Sequence, residues 1–413
     1  MRKSKGLIGI LFLFIVTPLI GKVAEQQTKW KGKIDIENGI KHIKNPRDPL
    51  FGEIVFDLEE NASIGNDKDD SYAFFKAIKL IVDKDENIFV LDSSNLRIQK
   101  YNRDGHYLLT IGRQGQGPGE FQFLRGAFID SKNYLYINQI RSLSIFDKNG
   151  KFNGTIPLSA QIGPFGITPE RNIISSTITY TPKESTNDVV IINSEGKIQK
   201  RIASFKNQKL PVLGNIPIGG GNPFPSVLFF SPIDENLAVF GYSSEYKLYL
   251  INGLGEIISI IEKEDPGESI TKNEKDSAIN REIDFLKKRG LHTSKKDIED
   301  IYPFPPHKPF FYWMMTDDQG NIYVEKIREA ENKKKEVYFD LFNPEGYYLY
   351  RVTMKDGIIP EMIVNRSVYA TKENPEKGYY EIKRYRIRNW AQIKVLEKGT
   401  DIGHISMYDD IVR

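Results

Sequence analysis

The chain has 413 residues, 58 basic against 55 acidic side chains, and no cysteine. Arg2, Lys3 and Lys5 account for the whole basic excess, so the rest of the chain is formally neutral and makes no electrostatic case for nucleic acid or an anionic membrane as partner. The absence of cysteine excludes disulfides and lipid attachment at a lipoprotein box.

The first element in chain order is a targeting segment. Its three cations precede an apolar run from Leu7 to Ile20. These 14 residues fall short of the ~20 that a membrane span requires and suit the core of a signal peptide. Residues 1–21 are expected to be cleaved near Gly21, which places the protein in the periplasm or outside the cell; the alternative is an uncleaved membrane anchor. Residues 22–48 read as a linker.

From there a unit recurs. Asn87-Ile-Phe-Val, Asn133-Tyr-Leu-Tyr-Ile, Asn172-Ile-Ile, Asn236-Leu-Ala-Val-Phe and Asn321-Ile-Tyr-Val each open an apolar strand. A second strand, a turn ending in glycine and a third strand follow. The turn glycines are Gly105, Gly150, Gly196, Gly255 and Gly346, and Arg366-Ser367-Val-Tyr opens a worn sixth unit. Asn87 to Asn133 is 46 residues and Gly105 to Gly150 is 45; the later, longer gaps hold insertions after which the strand pattern resumes. Four strands per ~45 residues is the period of a propeller blade. Ile88-Phe89-Val90-Leu91 is apolar throughout, as a strand covered on both faces must be.

The first unit is the most informative. It runs Asn87-Ile-Phe-Val-Leu-Asp-Ser-Ser-Asn-Leu-Arg-Ile-Gln-Lys-Tyr-Asn-Arg-Asp-Gly105 and continues through the Gly-rich stretch 111–121. It resembles the NHL repeat, with a strand ending in Asp, then Asn and Arg-Ile, then a Gly-rich link ending in Gly-x-Phe. Over residues 50–390 the chain resembles the six-bladed, NHL-like propellers of bacterial envelopes. The expected fold is all-β: a six-bladed propeller of four-stranded blades over residues 49–390, with a tail at 391–413. The sixth unit lacks an outer strand, and an orphan strand, residues 52–58, precedes the first. Ser63-Ile64-Gly65 matches Thr110-Ile111-Gly112 one blade later. The orphan strand is therefore expected to close the last blade and remove an open edge.

The largest insertion, 266–302, lies between blades four and five and reads as helical. Thr271-x-x-Glu274 is a capping box, Ile279, Ile283 and Leu286 follow at helical spacing, and Ser294-x-x-Asp297 starts a second helix.

Chemical motifs are sparse. Gly112–Gly119 lacks the spacing and following helix of a phosphate cradle and reads as a blade-to-blade link. The five histidines show no metal-ligand spacing. Propeller lactonases that share this fold hold a divalent cation on Glu and Asn side chains at the axis. Glu361 could face the axis, but the other inner strands offer cations and aromatics where calcium needs several oxygens. No cofactor is expected; a channel calcium or other divalent cation belongs only to the alternative of an envelope hydrolase or lyase.

Insertions collect on one face. Strand 2–3 loops at 180–187, 328–336 and 371–378 and links at 112–121, 205–222 and 263–308 all open there, whereas the turns of the opposite face are short. Loops grown on one rim of a rigid scaffold carry binding. The expected function is an exported scaffold, more a binder than an enzyme, taking a peptide, glycan or protein partner on its decorated face. Arg125, Tyr180, Tyr302, His307 and Trp313 are the expected contact residues.

Overall fold

The computed structural model describes residues 30–393 except 67, 70, 76–78, 182–183, 208–211, 214–215, 218–223, 302–303, 327–335 and 377. Residues 1–21, Tyr302 and all but the first three residues of the tail at 391–413 lie outside these residues. Six antiparallel sheets stand in a ring. Blade one comprises Lys79–Val82, Ile88–Asp92, Arg97–Tyr101 and Tyr107–Ile111, from the axis outward. The inner strands of the next five blades are Gly126–Ile129, Ile162–Ile167, Leu228–Pro232, Trp313–Thr316 and Met362–Val364. Each inner strand neighbours the next, and the last neighbours the first.

The recurring polar residues have a structural cause. In the 3–4 turns a side-chain oxygen accepts backbone N–H bonds two and four residues on: Asn102 from Asp104 and His106, Asp147 from Asn149 and Lys151, Asn193 from Glu195 and Lys197. The chain then turns through a left-handed residue. Gly105 has φ +82° and Gly346 φ +92°, and a Cβ on Gly346 would lie 2.6 Å from the Ile261 side chain. Only glycine fits both demands.

The Asp, Asn and Arg of the first repeat form one knot around a buried carboxylate. Asp92 is fully buried; Asn95 Nδ2 donates to it at 2.8 Å and Arg97 Nε at 3.0 Å. Between blades four and five a larger knot surrounds Asp340. Tyr246 Oη and Tyr348 Oη donate to its two oxygens at 2.7 and 2.5 Å, and Lys263 Nζ stands 3.2 Å away. Lys263 also lies 4.7 Å from the Tyr246 ring centroid, and Lys326 donates to Asp265 at 2.6 Å beside it.

Closure differs in detail from the sequence expectation. The strand that completes blade six is Leu58–Ile64, antiparallel to Tyr379–Ile387 with Ile64 opposite Ile382. The segment expected in that role pairs elsewhere: Glu53–Val55 adds a parallel fifth strand to blade five. The Ile64–Ile111 correspondence is genuine, since both end an outer strand opposite a buried isoleucine, Ile382 and Ile98. The apolar segment ahead of Ile64 was taken one element too early. Residues 22–48 are likewise more than a linker. Lys33–Glu37 and Ile40–Asn45 form a hairpin whose second strand runs parallel to Ile257–Lys263 on blade four. The N-terminal segment thus straps blades four, five and six in turn. Ile43, Leu50 and Phe56 enter the core shared by these blades. Buried Asn45 donates to Gly346 O at 2.8 Å and accepts from Tyr348 N at 2.9 Å.

Two of the expected loops on the decorated face are strand. Ile173–Tyr180 and Ser185–Ile192 stay in register as far as Tyr180 opposite Ser185, and Ser367–Asn374 pairs with Tyr379–Ile387. Thr177, Ile178 and Thr179 explain the first extension, because β-branched side chains favour the pleated ladder. The insertion folds as expected into α1 (Lys272–Lys288), with the Thr271–Glu274 box in place, and α2 (Lys295–Ile301). It has its own small core of Ile279, Leu286 and Ile298.

Candidate functional site

The inner strands enclose an axial cavity of about 2040 Å³ lined by all six blades. Its geometry follows from the blade register. In five blades one backbone amide closes the 1–2 turn: Asp83, Asp130, Thr168, Ile233 and Asp317 donate to the carbonyls of Asn87, Tyr134, Asn172, Leu237 and Asn321. Side chains alternate along a strand, so residues two and four positions earlier face the same way. Four back stand Lys79, Gly126, Pro164, Phe229 and Trp313; two back stand Ile81, Phe128, Gly166, Ser231 and Met315. The upper tier, toward the decorated face, is cationic in blade one and apolar in blades three to five. The lower tier is mainly apolar.

Arg125 extends the cationic sector. It is exposed, its carbonyl accepts from Lys79 Nζ at 3.2 Å, and among the described residues its guanidinium has no ion-pair partner. Opposite, Trp313 is 44% exposed and meets Phe229 edge-on at 6.2 Å, with Tyr312 beside it. The insertion overhangs this mouth. Lys308 pairs with Glu268 and, at 2.6 Å, with Glu274, and all three line the cavity. The Lys308 bond is the largest influence holding the Glu274 carboxyl below its ordinary range.

Of the expected contact residues, Arg125 and Trp313 come together at the cavity. Tyr180 is 77% exposed near the tip of the blade-three hairpin and does not line it. His307 does not line it either. Its ring stands 6.3 Å from that of Phe310, and its Nδ1 is buried without a hydrogen bond. Its neighbour Lys308 takes the place at the mouth. Lys79, Pro164 and Phe229 were not singled out from the sequence; the signal that finds them is their fixed distance of four residues before each turn-closing amide.

Glu361 does face the cavity. Thr371 Oγ1 donates to it at 2.8 Å, and burial pushes its carboxyl above the ordinary range, opposed by Thr371 and Lys79. Its neighbours on the upper wall are Lys79, Trp313 and apolar side chains. Among the described residues no three His, Asp or Glu side chains are grouped closely enough to hold a metal ion.

The opposite mouth is acidic, and hydrogen bonds link its rim from blade to blade. Lys84 Nζ donates to Ser131 O at 3.1 Å, Ser131 Oγ to Glu235 at 3.0 Å, Asn365 N to Asp318 at 3.0 Å and Asn365 Nδ2 to Glu86 at 2.7 Å. Within this rim burial pushes Asp317 up to about 6, against the pull of the Asn321 side chain and amide. Its folded pKa lies above its unfolded value, so the native state binds the extra proton between the two. The stabilisation is present in full below about pH 4 and is lost as pH rises through about 6. Urea unfolding of Asp317→Asn should therefore show a flatter stability profile between these values than the wild type. An unchanged profile would assign the slope to another group.

Comparison with known proteins agrees with this architecture. Residues 69–213 match a family model described as a 6-bladed beta-propeller. The molecule is a six-bladed propeller. A Bacteroides fragilis protein inferred to be exported superposes with a TM-score of 0.51 at 16% identity, over 83% of this chain and 100% of that one. A Bacteroides vulgatus protein of the duf4221 family gives 0.47 at 12% identity over 80% and 98% of the two chains. A Xanthomonas campestris gluconolactonase gives 0.38 at 8% identity over 82% and 97%. The first likeness concerns the propeller's fold alone, and the other two are too distant to bear on its chemistry. No curated protein matches the sequence.

Proposed function

We propose that this propeller is an exported binding scaffold that takes a peptide or protein partner at its decorated mouth. One observation carries the reading: large apolar side chains are left exposed where the chain enters its inner strands. Phe75 and Phe123 are each 52% exposed, Val227 40%, Tyr312 39% and Ile359 41%, and Trp313 stands among them. A soluble protein keeps such a collection in water where a partner covers it. Arg125 supplies the polar anchor usual at such surfaces. A sugar fits less well, because the wall's polar groups are engaged: Asn138 donates to Ile162 O at 3.0 Å and Ser231 lies 3.0 Å from Thr316 Oγ1. Export is supported by the cations and apolar core of residues 1–21 and by the inferred export of the Bacteroides fragilis protein. No helix among the described residues is long and apolar enough to cross a membrane.

Photo-crosslinkers placed at Tyr180, Tyr312 and Trp313 should yield partner adducts in the envelope, and crosslinkers at Gly150 and Gly346 should not. Intact mass should show a chain beginning near residue 22. Alanine at Arg125 and at Tyr180 should leave melting within about 2 °C of wild type, as surface changes do, and reduce adduct yield. Adducts confined to the Gly150 and Gly346 positions, or an unprocessed N-terminus, would overturn the corresponding half of the reading.

A further inference from the structure

The decorated mouth is divided by charge, and the division points to one kind of ligand. On the side of blades one and two stand Lys79 and Arg125, held together by the bond from Lys79 Nζ to Arg125 O at 3.2 Å. The acid that acts on Lys79 is Glu361, which is already hydrogen-bonded by Thr371 at 2.8 Å. This sector is therefore a pair of adjacent cations with spare donors. On the side of blades three to five stand Pro164, Phe229 and Trp313, with Tyr312 at the rim. About 7 Å deeper, two residues along each strand, Met315 continues this wall and Ile81 and Phe128 make the floor below the cationic side apolar as well.

We propose that the site captures the C-terminus of a polypeptide that ends in a large apolar residue. This rests on the binding reading above and names its ligand. The α-carboxylate meets Arg125 and Lys79, and the terminal side chain lies against Trp313 and Phe229 or reaches the lower tier. The guanidinium provides paired donors for a carboxylate. The wall also argues against threading an internal segment. A backbone laid along the axis would pass Pro164, Phe229 and Trp313, which offer its amides no acceptor, and desolvated amides without partners are costly. A chain end needs to bring only a carboxylate and one side chain. The Lys308–Glu274 pair covers one flank of the mouth.

Fluorescence polarisation with labelled Gly-Ser-Gly-Ser-Phe tests this on the full mature chain. The free acid should bind at least about tenfold more tightly than its C-terminal amide, the scale of one charge-assisted bidentate bond. A peptide ending in Ala carboxylate should be weaker than the Phe acid by a similar factor. Arg125→Ala should abolish the preference for acid over amide, and Arg125→Lys should restore part of it. Trp313→Ala should weaken acid and amide together. Melting curves check that each variant is folded. Equal binding of acid and amide overturns the proposal, as does binding of dodecanoate in preference to every peptide, or no binding up to roughly 1 mM, the weak limit of specific recognition. If crosslinked partners still map to the mouth in any of these cases, the binding reading stands and only the C-terminal assignment falls.

Discussion

Removal of Leu58–Ile64 is expected to leave a chain that cannot fold to a soluble monomer. These residues form no part of the six contiguous repeats, yet they are the outer strand of blade six. Without them Tyr379–Ile387 becomes an open edge with Ile382, Tyr385 and Ile387 uncovered, and unpaired edges template aggregation. The strand is also tied across its ends. Arg388 holds Asp57 through two bonds of 2.9 and 3.0 Å, and Lys383 donates to Glu60 at 3.0 Å. Ile64 lies in the core shared by blades six and one with Phe74, Tyr101 and Ile382. The single substitution Ile64→Ala should cost about 2–5 kcal/mol, the usual range for truncating a buried isoleucine. Size-exclusion chromatography and thermal melting decide the matter. A monomeric deletion variant with a wild-type transition would show that the ring closes by other means.

Asp340→Ala should be among the most damaging point substitutions. The carboxylate is fully buried, accepts from two tyrosine hydroxyls and faces the ammonium of Lys263, whose side chain is only 1% exposed. Loss of the acid leaves Lys263 to share Asp265, 3.3 Å away, with Lys326, takes the nearby acid from Arg351 Nε at 3.6 Å, and strips two hydroxyls of their acceptor. Breaking a buried pair from one side costs about 3–5 kcal/mol. The partner pair of Lys326 and Asp265 compensates poorly, because burial, followed by the repulsion of Lys263, already holds the Lys326 amine below its ordinary pKa. Combining Asp340→Ala with Lys263→Met should recover part of the loss, since Asp265 then faces Lys326 alone and the excess buried cation is gone. Urea midpoints of the single and double variants measure this. A loss under about 1 kcal/mol, or a double variant no better than the single, would mean that water or rearrangement satisfies the knot.

The repeat was legible because it is imposed by local chemistry. A side-chain oxygen that caps its own turn and a glycine at positive φ must recur wherever that turn recurs, so Asn102, Asp147 and Asn193 with Gly105, Gly150 and Gly196 mark blades directly. The strap was harder to read. Glu53–Val55 and Ile40–Asn45 pair parallel to strands roughly two hundred or more residues away, and neither carries a turn signal that names its neighbour. Their sequence records only that they are half-apolar. The same limit applies at the mouth. Arg125 and Trp313 were identified because an inner strand starts beside a long link. Lys79, Pro164 and Phe229 share no residue type, and what unites them is a count back from five backbone amides that only the fold reveals. Tyr180 and His307 were chosen for being in long connections, but one of these became a tall hairpin and the other turned its imidazole away from the cavity.

The strap over blades four to six also sets a timetable. Asn45 meets Tyr348, 303 residues later, and Asp57 meets Asn389, 332 residues later. The strap, residues 33–64, can be seated only after the strands of blades four to six exist. Blades one to three can assemble from near neighbours, whereas the last three stay unsealed until the beginning of the chain returns to them. Such contacts, distant in sequence, slow folding, and the open blades are exposed to aggregation while they wait. The N-terminal strap thus acts as a latch that only the complete chain can fasten.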